Sequence, residues 1–238
     1  MSYLLLLLLS SPSFSAVVAD PPLVAAVKEH DPSHLKALIA AGEGLEAKDQ
    51  YGWTALMWAV GHCDAGTVQA LLDAGAALPE DAPSFSAVIE AAKGARADVL
   101  PILAAKGLDC SAKDETGTPA LSFAVAHVST ATLKALLACK AKIDAKDAHG
   151  FTPLMRAVQL GQISAVKFLI SKGAKVNVVD AQGRSALMLA AQDGRVEEAK
   201  ALLAAKADPS LAGLDGRTAA QIAAARGHSD VSALLPAP

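Results

Sequence analysis

The chain has 238 residues, enough for one large domain or an array of small units. Hydrophobic residues make up 53% of it and aromatics only 4%; a mixture so rich in Ala and Leu suits small, closely packed helices and argues against a β-sandwich, which would draw on Val, Ile and aromatics. The net charge of −3 is spread over interspersed acids and bases with no basic tract, so nucleic acid has no electrostatic footprint and adsorption to an anionic membrane is disfavoured.

The first nineteen residues, MSYLLLLLLSSPSFSAVVA, carry no charged side chain, contain an unbroken leucine run from Leu4 to Leu9 and end in small residues. Val17-Val18-Ala19 fits the small-residue rule for signal-peptidase cleavage, and the apolar run is far short of the ~18 residues that span a bilayer. A cleaved secretory signal over 1–19 is the expectation. The absence of Lys or Arg near Met1 speaks against it, and the alternative is a disordered or membrane-tethered tail. Export would place Cys63, Cys110 and Cys139 in an oxidising compartment, where an odd number leaves at least one thiol free or paired between chains.

From residue 20 onward the chain repeats. Gly117, Gly150, Gly183 and Gly216 stand 33 residues apart; the first three follow Asp114, Asp147 and Asp180 at the same offset, and Asp49 and Gly52 open an earlier copy. Ala26, Ala59, Ala91, Ala124, Ala157, Ala190 and Ala223 keep this register, with only the step from Ala59 to Ala91 one residue short. After each Asp-x-x-Gly turn comes a helix start such as Thr54-Ala55-Leu56 or Thr152-Pro153-Leu154, where Thr caps the helix and Pro is tolerated in the first turn. The first helix runs to a glycine (Gly161, Gly194, Gly227) suited to the left-handed conformation that ends helices. A second helix places apolar residues at i, i+3 and i+4, as in Val166/Leu169/Ile170, and closes at another glycine such as Gly75 or Gly173.

The Asp-x-x-Gly-x-Thr-Pro-Leu phrase at this period resembles the ankyrin repeat, over residues 20 to 236. The resemblance implies an all-α fold: a solenoid of about seven helix-turn-helix repeats with short hairpin fingers, the repeats lying near 20–48, 49–81, 82–113, 114–146, 147–179, 180–212 and 213–236. Where the family usually has His after Thr-Pro-Leu, this chain has Met57, Ser122, Met155, Met188 or Gln221, so the family's loop-tethering hydrogen bond is expected to be missing. Pro79–Ser84 replaces the turn of the third repeat, Pro119 stands for the Thr of the fourth, and the first and last units read as end caps.

The resemblance also assigns the residues the repeat does not need. Finger tips and the inward side of the first helices line the concave surface, where ankyrin proteins usually grip partners. Those slots hold Tyr51, Trp53, Trp58, Phe85, Phe123, His149, Phe151, Arg156, Arg184 and Arg217. Trp, Tyr and Arg dominate interface hot spots, so this stripe is expected to bind a protein with an apolar centre and an acidic edge; the alternative is that the rings only pack between neighbouring fingers. Cys110, in the extended return of repeat three, and Cys139, at the end of the second helix of repeat four, fall on one side of neighbouring units, which permits a disulfide.

No nucleophile elbow, zinc-protease motif, phosphate loop or Cys-His pair at useful spacing is present. The two Ser-x-x-Lys matches, Ser33–Lys36 and Ser164–Lys167, fall on repeat helices, and His30 and His34 are separated by a helix-breaking Asp31-Pro32. The reading is a non-catalytic interaction protein without cofactor or metal, monomeric, periplasmic or secreted, and not membrane-inserted after signal cleavage; an inhibitor or immunity protein and an accessory factor of an envelope enzyme are its specific versions. The opposed reading is a hydrolase or redox enzyme with an unrecognised site. The register makes one direct prediction: Leu169→Ala removes a side chain from between adjacent repeats and costs ~2–5 kcal/mol, measured by thermal or denaturant unfolding.

Overall fold

The computed structural model describes residues 19–42, 44–78 and 85–236. The expected signal segment, Ala19 excepted, and the Pro79–Ser84 replacement lie outside the described residues. Among the described residues there are fourteen helices, no strands, and no helix long and apolar enough to cross a membrane.

The helices come in seven pairs: α1 (Pro22–Lys28) and α2 (Pro32–Ala41), α3 (Ala55–His62) and α4 (Ala65–Asp73), α5 (Ala87–Lys93) and α6 (Leu100–Ala105), α7 (Ala120–Ala126) and α8 (Thr130–Ala138), α9 (Pro153–Gln159) and α10 (Ile163–Ser171), α11 (Ala186–Gln192) and α12 (Val196–Ala204), α13 (Ala219–Arg226) and α14 (Ser229–Ser232). Each odd-numbered helix packs on its own partner and on the odd-numbered helix of the next unit, while α6, α8, α10, α12 and α14 form a second row behind. The periodic alanines explain the tight first row: Ala26, Ala59, Ala91, Ala124, Ala157, Ala190 and Ala223 are all buried where first helices meet. A larger side chain there would push units apart in an interior already close-packed. Leu71, Leu103, Leu136, Leu169 and Leu202 repeat in the second row and are fully buried.

The first helices are capped as their sequences require. Thr54, Ser86, Thr152, Ser185 and Thr218 each accept a hydrogen bond from the N–H three residues on. Pro119, which has no hydroxyl, leaves α7 without a side-chain cap. At two of the positions where the loop tether is expected to be missing, the side chain makes a local capping-box bond instead. Gln221 Oε1 accepts the Thr218 N–H at 3.0 Å, and the Met57 sulfur takes the Thr54 N–H at 3.5 Å. A side-chain acceptor at the third helical position reaches back over one turn to the N-cap N–H, as in a capping box.

At the far end of the first helices the caps come from the next unit. Arg96 reaches back to donate to the carbonyl of His62, Arg195 to that of Gln159 at 3.3 Å, and the His228 imidazole lies 3.1 Å from the carbonyl of Gln192. Basic groups there meet carbonyls that have no helical partner, at the negative end of the helix dipole.

Ahead of each first helix stands a finger built around the turn aspartate. Oδ1 of Asp49, Asp114, Asp147 and Asp180 accepts the backbone N–H groups two and four residues on at 2.8–3.0 Å. The aspartate's own N–H donates to the carbonyl four residues on, and the turn glycine donates back to the aspartate carbonyl. Gly150 is needed here twice over: its φ of +81° is left-handed, and a Cβ would lie 2.8 Å from the Ala181 nitrogen of the next finger. Adjacent fingers are joined by Ala181 N–H to His149 O (3.0 Å) and Leu214 N–H to Gln182 O (3.1 Å). The Lys113 and Lys146 ammonium groups each donate to a carbonyl 33 residues on.

Repeat three is the irregular unit: α6 has 6 residues where α8, α10 and α12 have 9. Its return stretch is joined to repeat four by a disulfide between Cys110 and Cys139, whose Cα atoms are 5.9 Å apart.

Two predictions follow from these contacts. Burial of Asp49 would by itself raise its pKa, but hydrogen bonds from the Lys28 ammonium, the Trp53 N–H, the Trp58 indole and the Tyr51 N–H outweigh it and hold the carboxyl at about 2. The folded-state value lies below the ordinary carboxylate value, so the stability it confers is present above about pH 4 and lost as pH falls towards 2. Asp49→Asn is therefore expected to cost about 2 kcal/mol near neutral pH, and the gap to wild type in urea unfolding should close on acidification. The disulfide closes a sequence separation of 29 residues; reduction, or Cys110→Ser with Cys139→Ser, should lower stability by roughly 3.5 kcal/mol on the loop-entropy account, read as a lower melting temperature.

Candidate protein-binding face

The ten predicted contact residues stand on the fingers and on the first helices that follow them. The structure distributes them unequally. Tyr51, at a finger tip, is 68% exposed. His149 and Arg217 are exposed as well, while Trp53, Trp58, Phe123, Arg156 and Arg184 are half-buried.

Phe85 and Phe151 correct the expectation, at 7% exposure each. Phe85 sits under the edge of Trp53, with ring centroids 5.5 Å apart. Phe151 is covered by two guanidinium groups, from Arg156 at 5.2 Å and from Arg184 of the next repeat at 5.6 Å. Both rings belong to the packing between neighbouring fingers, and for them the alternative reading holds.

The arginines correct a second expectation. Arg156 Nη2 binds Asp147 Oδ2 at 3.0 Å, Arg184 Nε binds Asp180 Oδ2 at 2.8 Å, and Arg217 Nε binds Asp215 Oδ2 at 2.8 Å. Each is matched by a finger carboxylate of its own repeat, so the stripe does not end in unpaired positive charge at these three residues. The sequence carried a partial signal: the position nine residues after the turn aspartate holds a donor in Trp58 and Arg156, and both bond that aspartate.

What remains open is an aromatic group at the second repeat. Trp53 and Trp58 are tilted at 51° with centroids 5.1 Å apart, and the His62 ring lies 5.2 Å from Trp58. The group is fixed from below. Trp58 Nε1 donates to Asp49 Oδ2 at 2.9 Å, and Lys28 Nζ, bonded to Asp20 and Asp49, sits 4.4 Å from the Trp58 ring centroid. The ammonium lends cation–π attraction to a ring whose outer face is half open. Farther along, Phe123 is half-buried with the Lys93 ammonium 5.3 Å from its ring.

The catalytic readings fare as follows. Ser33 and Lys36 lie on α2, and Ser164 and Lys167 on α10. His30 takes a left-handed φ of 53° between α1 and α2 and so shares no helix with His34. The structure does form a Cys-His contact that sequence spacing did not reveal, with Cys63 Sγ 3.7 Å from His30 Nδ1 across two repeats. Burial pushes the Cys63 thiol up, so it stays protonated and is a poor nucleophile. Among the described residues, no group of three or more His, Cys, Asp or Glu side chains is arranged to hold a metal ion.

The geometry agrees with what comparison finds. The family described as "Ankyrin repeats (3 copies)" matches residues 23–114, 87–180 and 172–237. Among solved structures the chain is similar to the ankyrin repeat domain of Bcl-3, described as a unique member of the IkappaB protein family, with 29% identity and a TM-score of 0.77 over 90% of this chain and 98% of that one. No curated protein matches in sequence. With a helix pair and finger repeated at the period of its turn aspartates and family matches spanning nearly every unit, the chain belongs to the ankyrin-repeat family.

Proposed function

We propose that the protein is a non-catalytic scaffold that holds a protein partner against its finger face, with Tyr51, Trp53 and Trp58 as the apolar anchor. The observation that carries this reading is the aromatic group at repeat two. A solenoid packed with Leu and Ala gains little from two indoles and a phenol at its surface, yet this chain fixes them with an ion pair beneath. Rigid, partly exposed aromatic side chains contribute large contact area with little entropy left to lose, which is how hot spots work. Phe123 and His149 continue the contact line along the fingers.

The partner is an enzyme or toxin of the cell envelope or exterior, which the scaffold either inhibits by covering its active site or stabilises as an accessory factor. Export is supported by the leucine-rich N-terminus and by the Cys110–Cys139 disulfide, since disulfides persist in oxidising compartments.

The test is affinity capture from the envelope fraction with the wild-type chain beside Tyr51→Ala and Trp53→Ala. Tyr51→Ala leaves the core untouched, and each substitution at a hot spot should cost ~2 kcal/mol of binding. Phe151→Ala serves as the contrast: it should cost ~3 kcal/mol of stability. Full retention of the captured partner by a folded Tyr51/Trp53 double variant would remove the anchor assignment, and assay of the captured enzyme with and without the scaffold separates inhibition from support.

A further inference from the structure

At the other end of the same face a cleft of about 380 Å³ opens between the fingers of repeats six and seven and helix α13. Its walls carry Arg184, Arg217 and Arg226, the side-chain amides of Gln182 and Gln192, and the carboxylate of Asp215. Two of the guanidinium groups are each held by a finger carboxylate. Arg184 spends Nε on Asp180 and Nη2 on Asp180 and Gln182, and Arg217 spends Nε on Asp215. Their remaining N–H groups are unspent among the described residues, and the side chains are 30% and 56% exposed. Arg226, at the end of α13, makes no side-chain hydrogen bond or ion pair among the described residues and is exposed. The finger carboxylates pair two of the three cations, so Arg226 carries the cleft's uncompensated positive charge while the free N–H edges of Arg184 and Arg217 remain as donors. Asp180 lies fully buried beneath Arg184, and Asp215 is engaged along the Nε edge of Arg217. The floor adds half-buried Ile222, and the rim adds Leu214, at 81% exposure.

We infer that this cleft binds carboxylate side chains from an acidic segment of the partner that also bears apolar residues. Guanidinium forks already held by one carboxylate lose little freedom on meeting a second, and they bind it in a two-pronged geometry that an ammonium cannot match. Leu214 and Ile222 favour a segment in which acidic and apolar residues alternate. The inference rests on the scaffold reading above and adds to it a direction: the partner lies with its apolar contact at repeat two and its acidic segment at repeats six and seven.

The test uses a fluorescein-labelled peptide of alternating Glu and Leu, with a Lys/Leu peptide as its counterpart, titrated against the full chain by fluorescence anisotropy. The Glu/Leu peptide should bind, the Lys/Leu peptide should not, and Arg217→Ala with Arg226→Ala should weaken binding about tenfold or more, the loss expected from a charge-assisted hydrogen bond. Both side chains are exposed, so the double variant should melt with wild type; Lys93→Ala, a cation elsewhere on the face, should leave the titration unchanged. No binding at about 1 mM peptide, equal binding of the Lys/Leu peptide, or equal affinity in the double variant would overturn the inference. The Tyr51/Trp53 capture reads the scaffold role separately, so retained dependence on that pair with a silent cleft discards the cleft alone.

Discussion

The turn aspartate holds this molecule's fingers and helices together. One oxygen of its carboxylate gathers two backbone N–H groups and so fixes the finger's own curl. In repeats two and five the second oxygen takes a donor from the first helix, Trp58 or Arg156, and ties the finger to the helix behind it. A charge buried to this degree is tolerated only when it is paired and hydrogen-bonded, and that need decides which side chains stand around it. At Asp49 the need is met by Lys28 of the preceding unit, and the pairing spans a repeat boundary.

The same arrangement explains the surface. Arginine serves two ends at once: it neutralises the aspartate along one edge and lays its planar face over a neighbouring ring, as Arg156 and Arg184 do on Phe151. Where the cation is a single lysine, 4.4 Å from the Trp58 ring centroid, the ring stays half-buried. Binding character along the face therefore follows how each repeat satisfies its carboxylate. Repeat two offers apolar area, repeat five has its Phe151 ring covered, and repeats six and seven present guanidinium edges.

Repeat three departs from the pattern, with a short second helix and a return stretch anchored by the disulfide to repeat four. In a stack where stability is the sum of units and interfaces, a weak unit in the middle divides the array unless its boundary is strengthened. The covalent link supplies that strengthening on one side.

The period of glycine, aspartate and alanine in the amino-acid sequence by itself determined the repeat architecture, the capping residues and the buried Leu169, because helix starts, left-handed turns and small-residue packing are local demands that recur in every unit. It also assigned the ten contact slots to fingers and first helices. What each slot does was decided by tertiary structure. Phe151 is buried because Arg184, from the next unit, covers it. Cys63 meets His30 because α1 and α3 are stacked. Exposure and charge pairing depend on the neighbour one repeat away, and a pattern read along a single repeat cannot contain that neighbour's side chain.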